Sequence, residues 1–504
     1  MSATPFSFTT ALAGEAATAA LMADLGLLIG ARDTITLSGD LGAGKTTAAR
    51  ALIRHLANDP MLEVPSPTFT LAQSYELSIP VLHVDLYRVN DPDELEELGL
   101  VPFPDRTLVL LEWPDRAANL LPEDRIDIAF SHSDTAEART ATLTGYGSAA
   151  QTVERLARLR AFLERSGAIT ATRQPMAGDA STRSYARLLA DDRSTILMNM
   201  PARSDPHLIY NGKSYLAAVH LAEDIVPFVA IGNGLHARGF STPQILHTDL
   251  DAGFLISEDL GSDGVLAGTP PLPIEERYQA AIDALVALHR QPLPTALPVE
   301  GRADYVIPSF DVDAMLIEVS LLLDWYLPHR GVAVTRAIRE SFVDLWHAVL
   351  QQALRAPATW VIRDYHSPNL LWLGAREGIG RVGIIDFQDA VLGPHAYDVA
   401  SLAQDTRADV AEALELALVS HYVRGRRQDD PGFDAAAFAQ SYAAMSAQRN
   451  TRLLGVFARL NRRDGKPQYL RHLPRIWGYL NRALAHPALA EVRAWTAANV
   501  PPPD

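Results

Sequence analysis

Leu37-Ser38-Gly39-Asp40-Leu41-Gly42-Ala43-Gly44-Lys45-Thr46-Thr47 decides the reading of the first third of this 504-residue chain. Its spacing is G-x-x-x-x-G-K-T. The apolar run Thr34-Ile35-Thr36-Leu37 enters it as a strand would, and a helical stretch from Ala48 to Leu56 leaves it. Strand, glycine loop and helix in that order make a phosphate site. Gly39, Gly42 and Gly44 let successive backbone N–H groups turn toward one anion, and the helix N-terminus adds partial positive charge. Lys45 then reaches the β/γ-phosphates, the Thr46 hydroxyl is placed to ligate Mg²⁺, and Thr47 completes the nucleotide-binding set. Lysine occurs only at Lys45, Lys213 and Lys466 among 44 basic residues, so a lysine kept inside a glycine loop is not incidental.

Bulk properties bound the rest. The length calls for two or three domains. A hydrophobic content of 48% and a charged content of 21% are those of an ordinary soluble protein. There are no cysteines, which excludes disulfides, thiolate metal sites and a cysteine nucleophile. With no apolar run of about 18 residues and no charged-then-apolar leader, the expected location is the cytoplasm, with no membrane partner. Residues 1–148 carry 21 acidic and 9 basic side chains, a large share of the net charge of −16. An acidic domain is a poor binder of phosphate backbones. If it serves RNA chemistry, it does so through protein partners, with tRNA engaged only indirectly.

The first domain, residues 1–148, reads as α/β. A helix is expected from Ala11 to Ile29, with strands after the loop at Thr70–Tyr75, Val81–Leu86, Thr107–Leu111, Arg125–Phe130 and Thr140–Leu143. The acidic Asp91–Glu97 run reads as a solvated helix start, and Gly145–Ala150 has linker composition. The second domain, 149–504, opens with a helix from Thr152 to Ser166. Strands follow at Tyr185–Leu189 and Ser194–Met198, then a helix from Ser214 to Arg238, then strands at Gln244–Asp249 and Gly253–Glu258. From Pro273 the pattern is mostly helical, interrupted by a strand-and-loop block at Trp360–Phe387, and Pro501-Pro502-Pro503 reads as a disordered end. A small β-rich lobe (about 165–260) and a large helical lobe (about 261–495) form a kinase-like layout.

Three elements after the glycine loop suit a nucleotide hydrolase. Val64-Pro65-Ser66-Pro67-Thr68-Phe69 is a rigid loop presenting Thr68. His83-Val84-Asp85-Leu86-Tyr87-Arg88 alternates along a strand, so His83, Asp85 and Tyr87 share a face, with His83 read as a strand residue rather than a ligand. Leu108-Val109-Leu110-Leu111-Glu112-Trp113 is an apolar strand ending in a carboxylate. Taken together with G-D-L-G-A-G-K-T-T, this series resembles the TsaE family over roughly residues 5–145. That family is the ATPase subunit of the bacterial machinery making threonylcarbamoyladenosine in tRNA. The resemblance implies that Lys45 and Thr46 hold phosphates and Mg²⁺, and that Glu112 ligates or orients Mg²⁺ and water. It also implies that Thr68 belongs to a switch loop and that Asp85 supports hydrolysis. The partners implied are the proteins of that complex.

The second constellation is Trp360-Val361-Ile362-Arg363-Asp364-Tyr365-His366-Ser367-Pro368-Asn369, followed by Val382-Gly383-Ile384-Ile385-Asp386-Phe387. An Asp and an Asn five residues apart, then an Asp after an apolar strand, are the catalytic kit of kinase-like phosphotransferases. Asp364 takes the acceptor proton, and Asn369 and Asp386 hold Mg²⁺ against ATP. There is no V-A-I-K lysine, because Ile196-Leu197-Met198-Asn199 stands where that strand is expected, so another group, for example an arginine such as Arg183 or Arg187, would have to contact the phosphates. In the turn Gly178–Tyr185, with its single glycine, Asp179, Ser181 and Arg183 are the nucleotide-binding candidates.

With G-D-A-S-T-R-S-Y, E-D-L-G, R-D-Y-H-S-P-N, I-D-F-Q-D-A, G-P-x-x-Y-D and Q-R-N, residues about 165–490 resemble the aminoglycoside phosphotransferase superfamily. More closely they resemble the AmgK-like anomeric kinases of N-acetylmuramate and N-acetylglucosamine. The resemblance implies Asp364 as base, Asn369 and Asp386 as metal ligands, and hinge backbone from Glu258 to Leu260 against adenine. Gln388, Asp389 and Arg449 become candidates beside the amino-sugar substrate; His366, in the catalytic loop, is a further substrate-side candidate or a structural residue that orients Asp364 or the backbone. The fold class expected is therefore an α/β P-loop NTPase domain followed by an α+β protein-kinase-like two-lobed domain, using ATP and Mg²⁺. Two rivals stand beside this reading: another small-alcohol acceptor (aminoglycoside, choline-like or homoserine), and an N-terminal domain acting as a nucleotide-dependent partner-binding module.

Overall fold

The computed structural model describes residues 4–89, 94–95, 103–133, 137–176, 183–191, 193–203, 209–210 and 212–504. The chain divides into two compact units, one of Met1–Pro201 with Leu246–Asp259, the other of Ala202–Ile245 with Leu260–Asp504.

The first unit holds two sheets. Strands β1 (Phe6–Leu12), β2 (Thr34–Ser38), β3 (Ala72–Tyr75), β4 (Val81–Asp85), β5 (Leu108–Glu112), β6 (Arg125–His132) and β7 (Arg139–Tyr146) form a seven-stranded sheet in the order β1-β7-β6-β2-β5-β4-β3. The central strands β6, β2, β5 and β4 run parallel. β2, β4 and β5 are buried along most of their length because helices pack on one face and Leu86, Val89 and the turn Pro114–Leu120 cover the other, so they read as continuous apolar runs rather than alternating ones. Helices α1 (Glu15–Gly26) and α2 (Lys45–Ala57) pack on this sheet. The helix α3 (Ala149–Arg165) leads to a five-stranded sheet of β8 (Thr172–Pro175), β9 (Ser184–Ala190), β10 (Arg193–Asn199), β11 (Ile245–Asp249) and β12 (Phe254–Glu258), ordered β11-β12-β10-β9-β8.

Two expectations for this unit change, and a third falls mostly outside the described residues. The helix expected from Ala11 begins at Glu15, because Phe6–Leu12 alternates and pairs with β7, with hydroxyl contacts Ser7–Thr144 and Thr9–Thr142 of 3.0 Å each. The stretch read as a linker is the end of β7, a two-residue turn and the start of α3. Of the acidic run, Glu94 and Leu95 are helical; Asp91, Asp93, Glu96 and Glu97 lie outside the described residues.

The second unit is mostly helical. The single helix expected over Ser214–Arg238 is two, Tyr215–Ala218 and Val226–His236, since His220 takes a left-handed φ of 57° and Pro227 restarts the helix where its missing N–H costs nothing. Two short antiparallel pairs frame the catalytic-type loop: Ala358–Val361 with Val391–Pro394, and Leu370–Trp372 with Val382–Ile384. The long helix Ala435–Arg462 runs behind them. The proline tail is docked: Tyr326 Oη donates to Pro501 O at 2.9 Å, and Arg330 pairs with Asp504.

Candidate functional sites

The glycine loop sits at the C-terminal ends of β2 and β5. Gly39 has φ 130°, and a Cβ there would stand 2.3 Å from Phe130 O, so only glycine fits. Gly44 (φ 109°) turns the chain into α2, whose first residues are Lys45, Thr46 and Thr47. Lys45 is buried and donates from Nζ to Gly39 O at 2.7 Å and Asp40 O at 2.9 Å, with Nζ 3.6 Å from the centre of the Trp113 ring. Burial lowers its pKa, opposed by Glu112, Asp85 and Asp40.

Parallel pairing of β4 and β5 sets Asp85 opposite Glu112. Glu112, buried, accepts from Thr46 Oγ1 at 2.8 Å and from His83 Nε2 at 2.9 Å. Asp85 Oδ2 accepts from Thr68 Oγ1 at 2.6 Å and Ser66 Oγ at 2.9 Å, while Oδ1 takes the Tyr87 N–H at 2.9 Å. Thr46 and Glu112 form one hydrogen-bonded pair and Thr68 and Asp85 another, and Lys45 feels the charge of both carboxylates. The Thr46 hydroxyl and the Glu112 carboxylate are hard oxygen donors of the kind Mg²⁺ takes, so the donor set fits that ion. Two members were not foreseen. His83 is a buried partner of Glu112 rather than a plain strand residue, and Trp113, in a left-handed turn (φ 61°), covers Lys45. The E-W-P run held that second signal.

The second site is built from strained backbone. Arg363 (φ 70°) and Asp386 (φ 59°) are both non-glycine residues in the left-handed region, a cost that surrounding contacts must hold in place. Asp398 does so for the first, accepting the Ile362 N–H at 2.6 Å and the Arg363 N–H at 3.0 Å. Ser401 Oγ donates to Arg363 O at 3.3 Å. Asp405 accepts the Ser367 N–H at 2.7 Å and the Tyr278 hydroxyl at 3.0 Å. The Arg363 side chain pairs with Glu318 and donates to Val219 O at 2.8 Å. Glu318 also accepts from Gln448 at 2.9 Å and lies 3.8 Å from Arg452.

On this frame Asn369 Nδ2 donates to Asp364 O at 3.0 Å and lies 3.5 Å from Asp386 Oδ2. The Asn and Asp side chains converge, again a hard-oxygen set that fits Mg²⁺. Gln388 Nε2 donates to Asp386 Oδ1 at 3.1 Å and Asp389 Oδ2 at 3.3 Å; Asp389 Oδ1 takes the Ala222 N–H at 2.7 Å. Asp364 keeps 31% of its side chain exposed, with His366 Nε2 at 3.9 Å. Burial raises the Asp364 pKa, but Arg452, His366, Arg449 and Arg363 together outweigh it and hold the carboxyl below its usual range. Burial lowers the His366 pKa, against Asp405 and Asp364. Arg449 is buried, its Nη1 has no hydrogen-bond partner among the described residues, and burial lowers its pKa.

The small-lobe candidates are placed less fully. Asp179 and Ser181 lie outside the described residues. Arg183 precedes β9 and Glu258 ends β12. Arg187, offered as a phosphate contact, is tied to Asp259 at 2.6 Å. Leu260 lies against Gly383: a Cβ on that glycine would be 3.3 Å from Leu260 Cδ1. Asp398, Asp405, Glu318 and Arg452 were given no role from sequence; only Asp398 had a signal, as the last residue of Gly393-Pro394-His395-Ala396-Tyr397-Asp398.

Comparison with known proteins gives a family for each region of the chain. Residues 12–141 match the family described as threonylcarbamoyl adenosine biosynthesis protein TsaE, and residues 172–438 match the phosphotransferase enzyme family. An N-acetylmuramate/N-acetylglucosamine kinase of Caulobacter vibrioides is 36% identical over 365 residues, covering 69% of this chain and 97% of that protein. The kinase of the same name from Pseudomonas aeruginosa is 32% identical over 324 residues, covering 63% and 86%. A tRNA threonylcarbamoyladenosine biosynthesis protein TsaE of Rickettsia felis is 39% identical over 97 residues, 19% of this chain and a little over half (56%) of that protein. Among the described residues no helix is long and apolar enough to cross a membrane. The chain belongs to the phosphotransferase enzyme family and carries at its N-terminus a domain of the TsaE family.

Proposed function

We propose that residues 149–504 transfer the γ-phosphoryl group of ATP to the anomeric hydroxyl of N-acetylmuramate or N-acetylglucosamine in cell-wall recycling. Residues 1–148 are proposed as an ATPase that supports threonylcarbamoylation of tRNA, acting on protein partners in the cytoplasm. The observation that carries the first reading is that Asn369 meets both Asp386 and the backbone carbonyl of Asp364, a residue whose own carboxylate is partly exposed. Asp364 is kept ionised, so it can accept the proton of the C1 hydroxyl as that oxygen attacks the γ-phosphorus and the bond to the ADP oxygen breaks. Asn369 and Asp386 would hold Mg²⁺, which offsets the charge of the phosphates. His366, Gln388, Asp389 and Arg449 are proposed to line the sugar, and Asp179, Ser181, Arg183, Glu258 and Leu260 to meet the nucleotide.

In the first domain Lys45, Thr46 and Thr47, with Gly39, Gly42 and Gly44, are proposed to hold the phosphates. Glu112 orients metal and water, and Asp85 sets the Thr68 loop. Two exposed apolar side chains flank this loop system, Leu41 (76% exposed) and Phe69 (86%). Both side chains are available for contact with a protein partner beside the nucleotide loops. The test is phosphate transfer from ATP to each sugar with the product's position read by ³¹P-coupled NMR. A C1 phosphate supports the reading; absence of any phosphorylated sugar overturns the amino-sugar assignment.

A further inference from the structure

Helix α3 belongs to two cores at once. Its first half, with Ala149, Val153 and Leu156, is buried in the core of the seven-stranded sheet. Its second half, with Leu159, Phe162 and Leu163, is buried in the core of the five-stranded sheet, where Phe162 stacks on Phe254 at 5.8 Å. A tether between independent domains would be polar and exposed. This helix is instead a continuous 17-residue rod with both halves embedded.

A second junction lies beside it. Asp24 of α1, fully buried, accepts from Arg173 Nε of β8 at 2.8 Å and from Arg160 Nη1 of α3 at 2.8 Å. Ser184 Oγ, at the start of β9, donates to Leu27 O at 2.9 Å. A buried ion pair tolerates little sliding, because any other geometry leaves a charge desolvated and unpaired. The loop helix α2 ends at the same junction. His55 in its last turn packs on Gly26, where an added Cβ would come within 2.7 Å of the ring, and feels the charge of Arg173. One rigid helix thus runs from Lys45 to the polar cluster that anchors β8. The sheet behind β8 carries Glu258 at the end of β12 and is entered from Arg183, both nucleotide candidates of the second site.

We propose that the ATPase domain and the small lobe of the sugar kinase form a single mechanical body, through which nucleotide occupancy at the Lys45 loop sets the nucleotide affinity of the kinase. This rests on reading both sites as nucleotide sites. The test is a double-mutant cycle in the full chain, crossing Lys45→Ala with Arg160→Ala and, separately, with Asp24→Asn. Arg160→Ala cuts the arm by which α3 holds Asp24 and leaves the Asp24–Arg173 pair in place, whereas Asp24→Asn weakens both arms. The readouts are the kinase KM for ATP and hydrogen exchange of β9 and β10 with and without Mg-ADP. Lys45→Ala is expected to shift KM about fivefold or more and to reduce small-lobe protection. In either junction background the same change should shrink to within about twofold. Equal effects with and without the junction substitutions, or no effect of Lys45→Ala on either readout, overturn the proposal. If neither sugar is phosphorylated, the substrate assignment fails while the exchange cycle still decides the coupling.

Discussion

Thr46 and His83 share one carboxylate: Glu112 takes the threonine hydroxyl on one oxygen at 2.8 Å and the imidazole on the other at 2.9 Å. The histidine fixes the orientation of the acid proposed to face Mg²⁺. Groups that fix a metal-facing carboxylate cost about 10- to 100-fold when removed. His83→Ala should therefore lower ATP turnover of the first domain by roughly that factor. Binding of a fluorescent ADP should be retained. Unchanged turnover would detach His83 from the chemistry.

Asp398 holds the strained residue before the proposed base by accepting two backbone N–H groups. Asp398→Asn replaces one acceptor oxygen with a donor and leaves a buried N–H unpaired, at a cost of about 1–3 kcal/mol. The expected kinetic result is a fall in kcat for sugar phosphorylation, with KM for ATP much less changed. Equal changes in both would place Asp398 in general folding only.

Glu318 is the counter-ion of Arg363 and Arg452 and is itself buried. Removing one partner from a buried ion pair strands the other charge. Glu318→Ala should destabilise the second unit by about 3–5 kcal/mol in urea unfolding. A loss below about 1 kcal/mol, the scale of exposed pairs, would contradict this placement.

Stability should fall on the acid side through histidines. Burial, and then the charge of Arg426, lower the pKa of His395 from 6.5 to about 4; burial and Arg173 do the same for His55. A depressed histidine is neutral when folded, so its contribution is complete above about 6.5 and is lost as pH falls toward 4. Asp398 acts oppositely: burial raises its pKa to about 7, so its contribution is present below its ordinary 3.8 and is lost as pH rises through 7. His395 stacks flat on Phe438, so His395→Phe keeps the shape. Urea midpoints at pH 7.5 and 5 should converge in that variant relative to the parent protein; an unchanged difference would contradict the assignment.

What could be read before the structure was local. The glycine loop, the Asp364–Asn369 spacing and the strand before Asp386 announce themselves within a few residues. Their supports do not: Glu318 meets Arg363 from 45 positions away and Gln448 from 130. Alternation in Phe6–Leu12 was masked by the alanine-rich helix after it, and Gly145–Ala150 read as a linker because its small residues pack against one another: a Cβ on Gly145 would touch Ala149 O at 2.4 Å. Composition alone marks the proline tail as a disordered end, and composition carries no information about Tyr326. Trp113 and His83 gain their roles only once β4 and β5 lie side by side.

The most direct measurement incubates the full chain with γ-labelled ATP, Mg²⁺ and N-acetylmuramate or N-acetylglucosamine, for the parent protein, Asp364→Asn and Lys45→Ala at saturating ATP. Labelled sugar 1-phosphate should form with the parent and persist with Lys45→Ala. It should fall by about 10²-fold or more with Asp364→Asn, the scale of a lost general base. Undiminished product with Asp364→Asn, or no labelled sugar from the parent protein, would contradict the account.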